Sequence, residues 1–222
     1  MKHYNNEPAI ISLTSWKARI GTVIKTLYSL IKQCPGFHIV LVLAEEEFPQ
    51  KEAELPENLM LFVDNDLLEI LWVYKNYKAM KKVIFTMQKY PNVPIISADD
   101  DCIYICNYAQ ELYDKWQQNK NCAVRYTDFS KYDGYTGTQG PSTLYPPIAF
   151  KLFLDKINDL NLLNEYSKFD DAILSDTLLT NKIPILSVAP KFCFKFHDEI
   201  EAIHPNLKQV KIYEECYNEH NL

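Results

Sequence analysis

Val93-Pro94-Ile95-Ile96-Ser97-Ala98-Asp99-Asp100-Asp101-Cys102-Ile103-Tyr104-Ile105 sets three consecutive carboxylates between two apolar runs. An apolar run opened by a proline reads as a buried strand. The acids therefore leave the sheet at its carboxyl edge, where open α/β sheets bind ligands. Adjacent carboxylates repel one another and resist desolvation unless positive charge sits among them. A hard divalent cation is the natural counter-charge, and Mg2+ or Mn2+ is commonly held by one or two carboxylates plus substrate phosphates. The competing reading is a solvated acidic loop, which the rest of the chain must outweigh.

Upstream, residues 8–14 read as a first strand, and Ser15-Trp16-Lys17-Ala18-Arg19 turns into a helix. Ile20, Val23, Ile24, Leu27, Leu30 and Ile31 recur at helical spacing until Pro35-Gly36 stops them. Residues 37–43 form a second buried strand and residues 59–63 a shorter third. Residues 67–74 are an irregular aromatic stretch. An amphipathic helix over residues 74–90 has Met80, Val83, Ile84 and Met87 as its buried stripe. Lys75, Lys78, Lys81, Lys82 and Lys89 then fall mostly on its solvated face. Strands alternating with helices imply a parallel sheet covered on both faces.

Downstream, residues 107–119 read as helix and residues 122–126 as strand. The chain has only five glycines, yet Gly134, Gly137 and Gly140 fall together. That clustering marks a loop needing unusual backbone angles or close approach to a ligand. Tyr132, Tyr135 and Tyr145 nearby offer flat apolar faces with polar edges, a shape that suits a sugar. A helix opens at Phe169-Asp170-Asp171, where two acids in the first turn complement the helix dipole. Residues 183–188 are a late strand, followed by a Lys-, Glu- and Tyr-rich tail.

At 222 residues the chain is long enough for one domain with a sizeable core. A formal net charge of −6 excludes a nucleic-acid binder that works by phosphate neutralisation. Neither a leader-like apolar segment nor a run long enough to span a bilayer is evident, so a cytoplasmic location, with peripheral contact at the inner face of a membrane, is the expectation. The six cysteines, at 34, 102, 106, 122, 193 and 216, contain no Cys-x-x-Cys pair and read as reduced, buried residues.

Four segments in order resemble the GT-A-type nucleotide-sugar glycosyltransferases, in particular small bacterial family-2-like members. They are Ile11-Ser12-Leu13-Thr14-Ser15-Trp16 with Arg19; Tyr77-Lys78 ahead of Ile96-Ser97-Ala98-Asp99-Asp100-Asp101; Gly137-Thr138-Gln139-Gly140-Pro141-Ser142-Thr143-Leu144-Tyr145-Pro146-Pro147; and Asp170-Asp171. An Asp-x-Asp alone is a weak motif, but this ordered set is more specific.

The resemblance implies a Rossmann-like α/β/α sandwich with a mostly parallel sheet, forming one catalytic domain. Residues 1–106 would be the nucleotide-sugar-binding half, 107–190 the acceptor-binding half and 191–222 a C-terminal tail. It implies metal-dependent transfer of a sugar, with inversion, from a nucleoside diphosphate donor, a UDP-sugar first, to a hydroxyl of a glycan or glycolipid in polysaccharide biosynthesis. Mn2+ or Mg2+ would be held by Asp99 and Asp101, with His197 as a further ligand and His204 as the alternative. Asp99 would also serve the donor. Asp100 is ambiguous because a triplet has no unique register. Thr14, Ser15 and Arg19 would line the nucleotide pocket, and Lys78 would approach the donor. Asp171 matches the catalytic base of inverting members, with Asp170 beside it. Three other readings compete. A sugar-phosphate nucleotidyltransferase lacks its glycine-rich loop here, and a haloacid-dehalogenase-like phosphatase lacks its first-strand acids; an inactive nucleotide-sugar-binding protein is the third.

Overall fold

The computed structural model describes residues 8–33, 36–104, 107–126, 138, 141–157, 170–188 and 194–197. Nine strands and six helices lie within them: β1 (Ile10–Thr14), α1 (Val23–Gln33), β2 (His38–Ala44), α2 (Glu57–Asp64), β3 (Glu69–Val73), α3 (Lys81–Lys89), β4 (Ile95–Ser97), β5 (Cys102–Tyr104), α4 (Tyr108–Gln117), β6 (Ala123–Tyr126), β7 (Thr143–Tyr145), α5 (Phe150–Ile157), α6 (Asp170–Thr180), β8 (Ile185–Val188) and β9 (Phe194–Phe196).

Seven strands make one sheet in the order β3-β2-β1-β4-β7-β6-β8. Pairing is parallel from β3 through β4 and between β6 and β8, and only β7 runs against its neighbours. The expected α/β/α sandwich with a mostly parallel sheet is therefore present. Its cause is visible in β2, where Ile39, Leu41 and Leu43 face one core while Val40, Val42 and Ala44 face the other. A strand buried on both faces needs apolar residues throughout. The first core is closed by Val23, Leu27 and Leu30 of α1, Leu59 of α2 and Leu112 and Trp116 of α4. The second is closed by Val83 and Ile84 of α3, Phe153 of α5 and Leu174 and Leu178 of α6. Each fully buried side chain of this size contributes about 1.5–3 kcal/mol.

The chain runs outward from β1 to β3, then returns to place β4 on the other side of β1. The strand order thus reverses between β1 and β4, the kind of crevice in which doubly wound sheets bind ligands. At Ser97 the chain leaves the large sheet, and at Cys102 it enters a two-stranded ribbon of β5 with β9. The acidic triplet is the corner between the two.

Three expectations are corrected. Residues 59–63 form helix α2, not a strand; Pro56 and Glu57 open it, and Leu59, Phe62 and Val63 follow helical spacing. The third strand is Glu69–Val73, inside the stretch read as irregular, and it is half-buried at the sheet edge. Tyr145 is not a sugar platform but core: it is 1% exposed and meets Phe153 edge-to-face. Cys102 and Cys122 are free and buried, as expected. Among the described residues no helix is long and apolar enough to cross a membrane. Gly134, Gly137, Gly140, Tyr132, Tyr135 and His204 lie outside the described residues.

Candidate active site

Parallel pairing of β1 with β4 aligns Ser12 with Ser97, so the segments that follow both strands emerge side by side. Ser15 and Arg19 come from the β1 side, Asp99, Asp100 and Asp101 from the β4 side. The Ser15 hydroxyl donates to Asp100 Oδ2 at 2.6 Å, and Arg19 donates to Asp100 Oδ1 at 2.7 Å and to Asp101 Oδ2 at 3.0 Å. Both oxygens of Asp100 are therefore engaged inside the fold. Exposure differs along the triplet: the Asp100 side chain is 9% exposed, against 31% for Asp99 and 16% for Asp101.

The Arg19 guanidinium is itself buried. Burial acts to lower its pKa, but the charges of Asp100 and Asp101 outweigh that and raise it. Asp101 is under the opposite strain. Burial, then the adjacent charge of Asp99, pushes its carboxyl up to about 6 against the pull of Arg19.

A second cation completes the cage. Lys82 of α3 contacts Asp99 Oδ1 and lies 3.6 Å from Asp170 Oδ2 at the start of α6. Its side chain is 2% exposed. Burial would lower its pKa, but Asp99 and Asp170 hold it well above the usual lysine range. Asp170 is raised, first by burial, with Lys82 opposing and Asp99 adding. Asp171, the next residue of α6, is half-buried, and its backbone carbonyl accepts hydrogen bonds from Ser175 and Thr138.

The corner's backbone is held as firmly as its side chains. Thr26 of α1 donates to the carbonyls of Asp100 (3.0 Å) and Cys102 (2.7 Å), and its oxygen lies 3.2 Å from His197 Nε2. With the Thr26 proton directed to carbonyls, Nε2–H of His197 is the donor in that pair. The His197 backbone N–H donates to the carbonyl of Asp101 at 2.8 Å, extending the β5–β9 ribbon by one step. The Asp99 backbone N–H donates to the Tyr104 hydroxyl (2.9 Å), which donates in turn to the Pro141 carbonyl (2.8 Å).

Of the residues singled out from sequence, Ser15, Arg19, Asp99, Asp100, Asp101 and Asp170 are gathered into one network. Asp171 adjoins it on α6, and His197 braces its backbone. Thr14 ends β1, with its hydroxyl donating to the Val42 carbonyl at 2.7 Å. Lys78 stands exposed on the turn after β3, and Lys82 is the lysine that reaches the triplet. Among the described residues no three His, Cys, Asp or Glu side chains are already arranged as a metal cluster.

Two residues were missed. The sequence pattern puts Lys82, with Lys81, on a solvated face, but α3 is buried nearly all round and both lysines lie inside. The available signal was the Lys82–Thr86 pair, one turn apart, where Ser12 of β1 docks: its hydroxyl donates to the Lys82 carbonyl (2.6 Å) and meets Thr86 Oγ1 at 2.8 Å. Thr26 was the other, and its signal was the polar pair Thr26 and Ser29 within an apolar helix face.

No protein-family model matches the chain, and no curated protein matches it in sequence. Among solved structures it is similar to the glycosyltransferase GlyE of Streptococcus pneumoniae TIGR4, with a TM-score of 0.53 and 13% identity over 81% of this chain and 45% of that one. GalNAc-T7, solved with UDP, GalNAc and Mn2+, matches with a TM-score of 0.43 and 15% identity over 53% of this chain and 22% of that one. The chain thus spans less than half the length of either. With its sandwich layers, its strand order and the likeness to GlyE, the chain has the GT-A type of glycosyltransferase fold.

Proposed function

We propose that the chain is a metal-dependent glycosyltransferase that moves a sugar from a nucleoside diphosphate, a UDP-sugar first, to a hydroxyl of a glycan or glycolipid acceptor. The observation that carries this reading is the charge at the strand-order reversal. Four carboxylates (Asp99, Asp100, Asp101 and Asp170) face two cations (Arg19 and Lys82), a surplus of two negative charges. A surplus of that size at a partly exposed rim suits one divalent cation, and the donors are the hard oxygens that Mn2+ and Mg2+ prefer. Asp99 and Asp101 are the residues to hold it, since Asp100 is consumed by Ser15 and Arg19. With no third protein ligand already in place among the described residues, the remaining positions suit the oxygens of a diphosphate.

Bound there, the cation would supply Lewis-acid stabilisation of the departing diphosphate. The chain's own residues do the rest. Thr14 and Ser15 close the rim beneath the nucleotide, and Arg19 keeps Asp100 and Asp101 from repelling each other. Asp170 pairs inward with Lys82, and Asp171 beside it, which matches the catalytic base that the resemblance implies, serves the acceptor. Its carboxylate takes the proton of the acceptor hydroxyl as the new C–O bond forms on the opposite face of the anomeric carbon. The old bond's electron pair passes to the diphosphate oxygen, and the configuration inverts. As the anomeric centre gains oxocarbenium character, modest activation of the hydroxyl is enough. His197 acts by fixing the Asp101 backbone. Assembly of surface polysaccharide, at the inner face of a membrane, is the setting this chemistry suits.

The test is a panel of UDP-, GDP- and dTDP-sugars, read by thermal shift with and without Mn2+, because a ligand bound only by the native state raises its apparent stability. One nucleotide class is expected to stabilise the protein only when Mn2+ is present, followed by acceptor-dependent release of that nucleotide. Absence of any metal-dependent shift across the panel would overturn the reading.

A further inference from the structure

A lysine with 2% of its side chain exposed, in a helix buried nearly all round, is costly unless its charge has a task. Lys82 is also fixed from behind, since the Ser12 hydroxyl of β1 holds its backbone carbonyl at 2.6 Å. Its ammonium lies between two carboxylates from opposite parts of the chain: Asp99 after β4 and Asp170 at the start of α6. This ammonium ties the start of α6 to the triplet.

We propose that Lys82 is a positioning residue: a resident cation shared by Asp99 and Asp170 that sets the first turn of α6, with Asp171, against the acidic triplet. The inference rests on the proposed function for its consequence in catalysis, but the pairing itself is independent of any activity. Two outcomes follow from the charge. Without Lys82, Asp99 and Asp170 repel across the gap, α6 loses its register and the base is displaced from the acceptor. At the same time one oxygen of Asp99 is released and the site becomes one unit more negative, so a divalent cation alone binds more tightly. A lysine that merely filled space would, when replaced, weaken the site in every respect.

The experiment compares wild type, Lys82→Met, Lys82→Arg, Asp170→Asn and the Lys82→Met/Asp170→Asn double variant. Melting temperatures are measured first without ligand. Lys82→Met is expected to melt lower, and the double variant to recover part of that loss, because removing Asp170 removes the repulsion. Strictly additive losses would overturn the proposal, whether or not the protein transfers sugar. Mn2+ alone is then titrated by the EPR signal of the free ion. Lys82→Met is expected to bind it about tenfold more tightly, the order given by one unit charge beside a divalent site even under water-like screening. Lys82→Arg, which keeps the charge, is expected to stay near wild type. Weaker Mn2+ binding in both variants would overturn the proposal in favour of a purely structural lysine. Where transfer is measured, Lys82→Met should lose kcat at least about tenfold more than it changes the donor KM, with partial rescue in Lys82→Arg; equal kcat in Lys82→Met and wild type would overturn it. A wild type that shows neither nucleotide binding nor transfer would count against the proposed function and leave the melting and Mn2+ comparisons to decide on Lys82.

Discussion

Replacing Arg19 by methionine keeps most of the side-chain volume and removes the charge that separates Asp100 from Asp101. The variant loses hydrogen bonds of 2.7 and 3.0 Å and leaves Asp100, whose side chain is 9% exposed, with the Ser15 hydroxyl as its remaining partner. Breaking a buried ion pair from one side costs about 3–5 kcal/mol, and the surviving Ser15 bond and the partial exposure of Asp101 favour the lower figure. For a chain of 222 residues, about 3 kcal/mol corresponds to a fall in Tm of about 6–12 °C. The loss has a pH signature. In the wild type the Asp101 carboxyl is already held up at about 6, above its ordinary 3.8. Its native form therefore binds more protons than the unfolded chain between those values, and it subtracts stability as pH rises through 6. Loss of Arg19 pushes that pKa higher, so the deficit of Arg19→Met should be smaller at pH 5 than at pH 8, by about 1.4 kcal/mol for each unit of further displacement. Urea unfolding of both proteins at the two pH values measures it, and Mn2+ at pH 8 should restore part of the loss by replacing the missing charge. A deficit below 1 kcal/mol that is the same at pH 5 and pH 8 would refute the idea that Arg19 offsets repulsion within the triplet.

Asp171→Asn should lower acceptor-dependent nucleotide release by about 10²–10⁴-fold, the usual contribution of a general base, while the metal-dependent thermal shift by donor is kept. Near-normal turnover would remove Asp171 from that role. At the opposite edge of the sheet, burial alone would raise the Glu69 carboxyl, but hydrogen bonds from His38, Lys89 and Tyr90 hold it down at about 2. A depressed carboxylate adds stability above its ordinary 4.5 and loses it as pH falls through 2. The shift corresponds to at most about 3 kcal/mol, reduced to about 1–2 by water around Lys89. Glu69→Gln should therefore be less stable than wild type at pH 7 in urea, with the gap closing between pH 4.5 and 2; a gap that persists at pH 2 would assign the loss to packing instead.

The layered fold was legible because its cause is local. β1, β2 and β4 are apolar on both faces, a pattern that only a sheet covered on both sides accommodates. The triplet was legible for a similar reason, since three acids that follow such a strand must emerge at its end. What failed was local in appearance but decided at a distance. Residues 59–63 and 69–73 are both short apolar runs, and periodicity does not separate a strand from a helix at that length. Their difference lies in the flanks, Pro56 and Glu57 before the helix and the β2 ladder beside the strand. Lys82 was hidden by the same logic. Its own segment reads as an amphipathic helix, and the far face is covered by α5 and α6, about 70–90 residues downstream. His197, by contrast, is singled out by the sequence, and the antiparallel pairing of β9 with β5 is what brings it beside Asp101.

The two residues that the sequence does not reveal, Lys82 and Thr26, share a physical origin that bears on how the site works. A partly buried acidic cluster is unstable by itself, so each carboxylate must be matched by something the fold delivers from elsewhere. Arg19 comes from the segment after β1, Lys82 from α3, and the Thr26 hydroxyl from α1. Full neutralisation would yield a quiet structural core with no need of a rim. This cage stops two charges short, and it does so at Asp99 and Asp101, which retain exposure, while Asp100 is sealed. On the proposed reading, removing one more cation would destabilise the apo protein, and supplying a divalent one would stabilise it. Such a site would bind metal best when a diphosphate arrives with it, because the diphosphate would bring oxygen ligands beyond those gathered among the described residues.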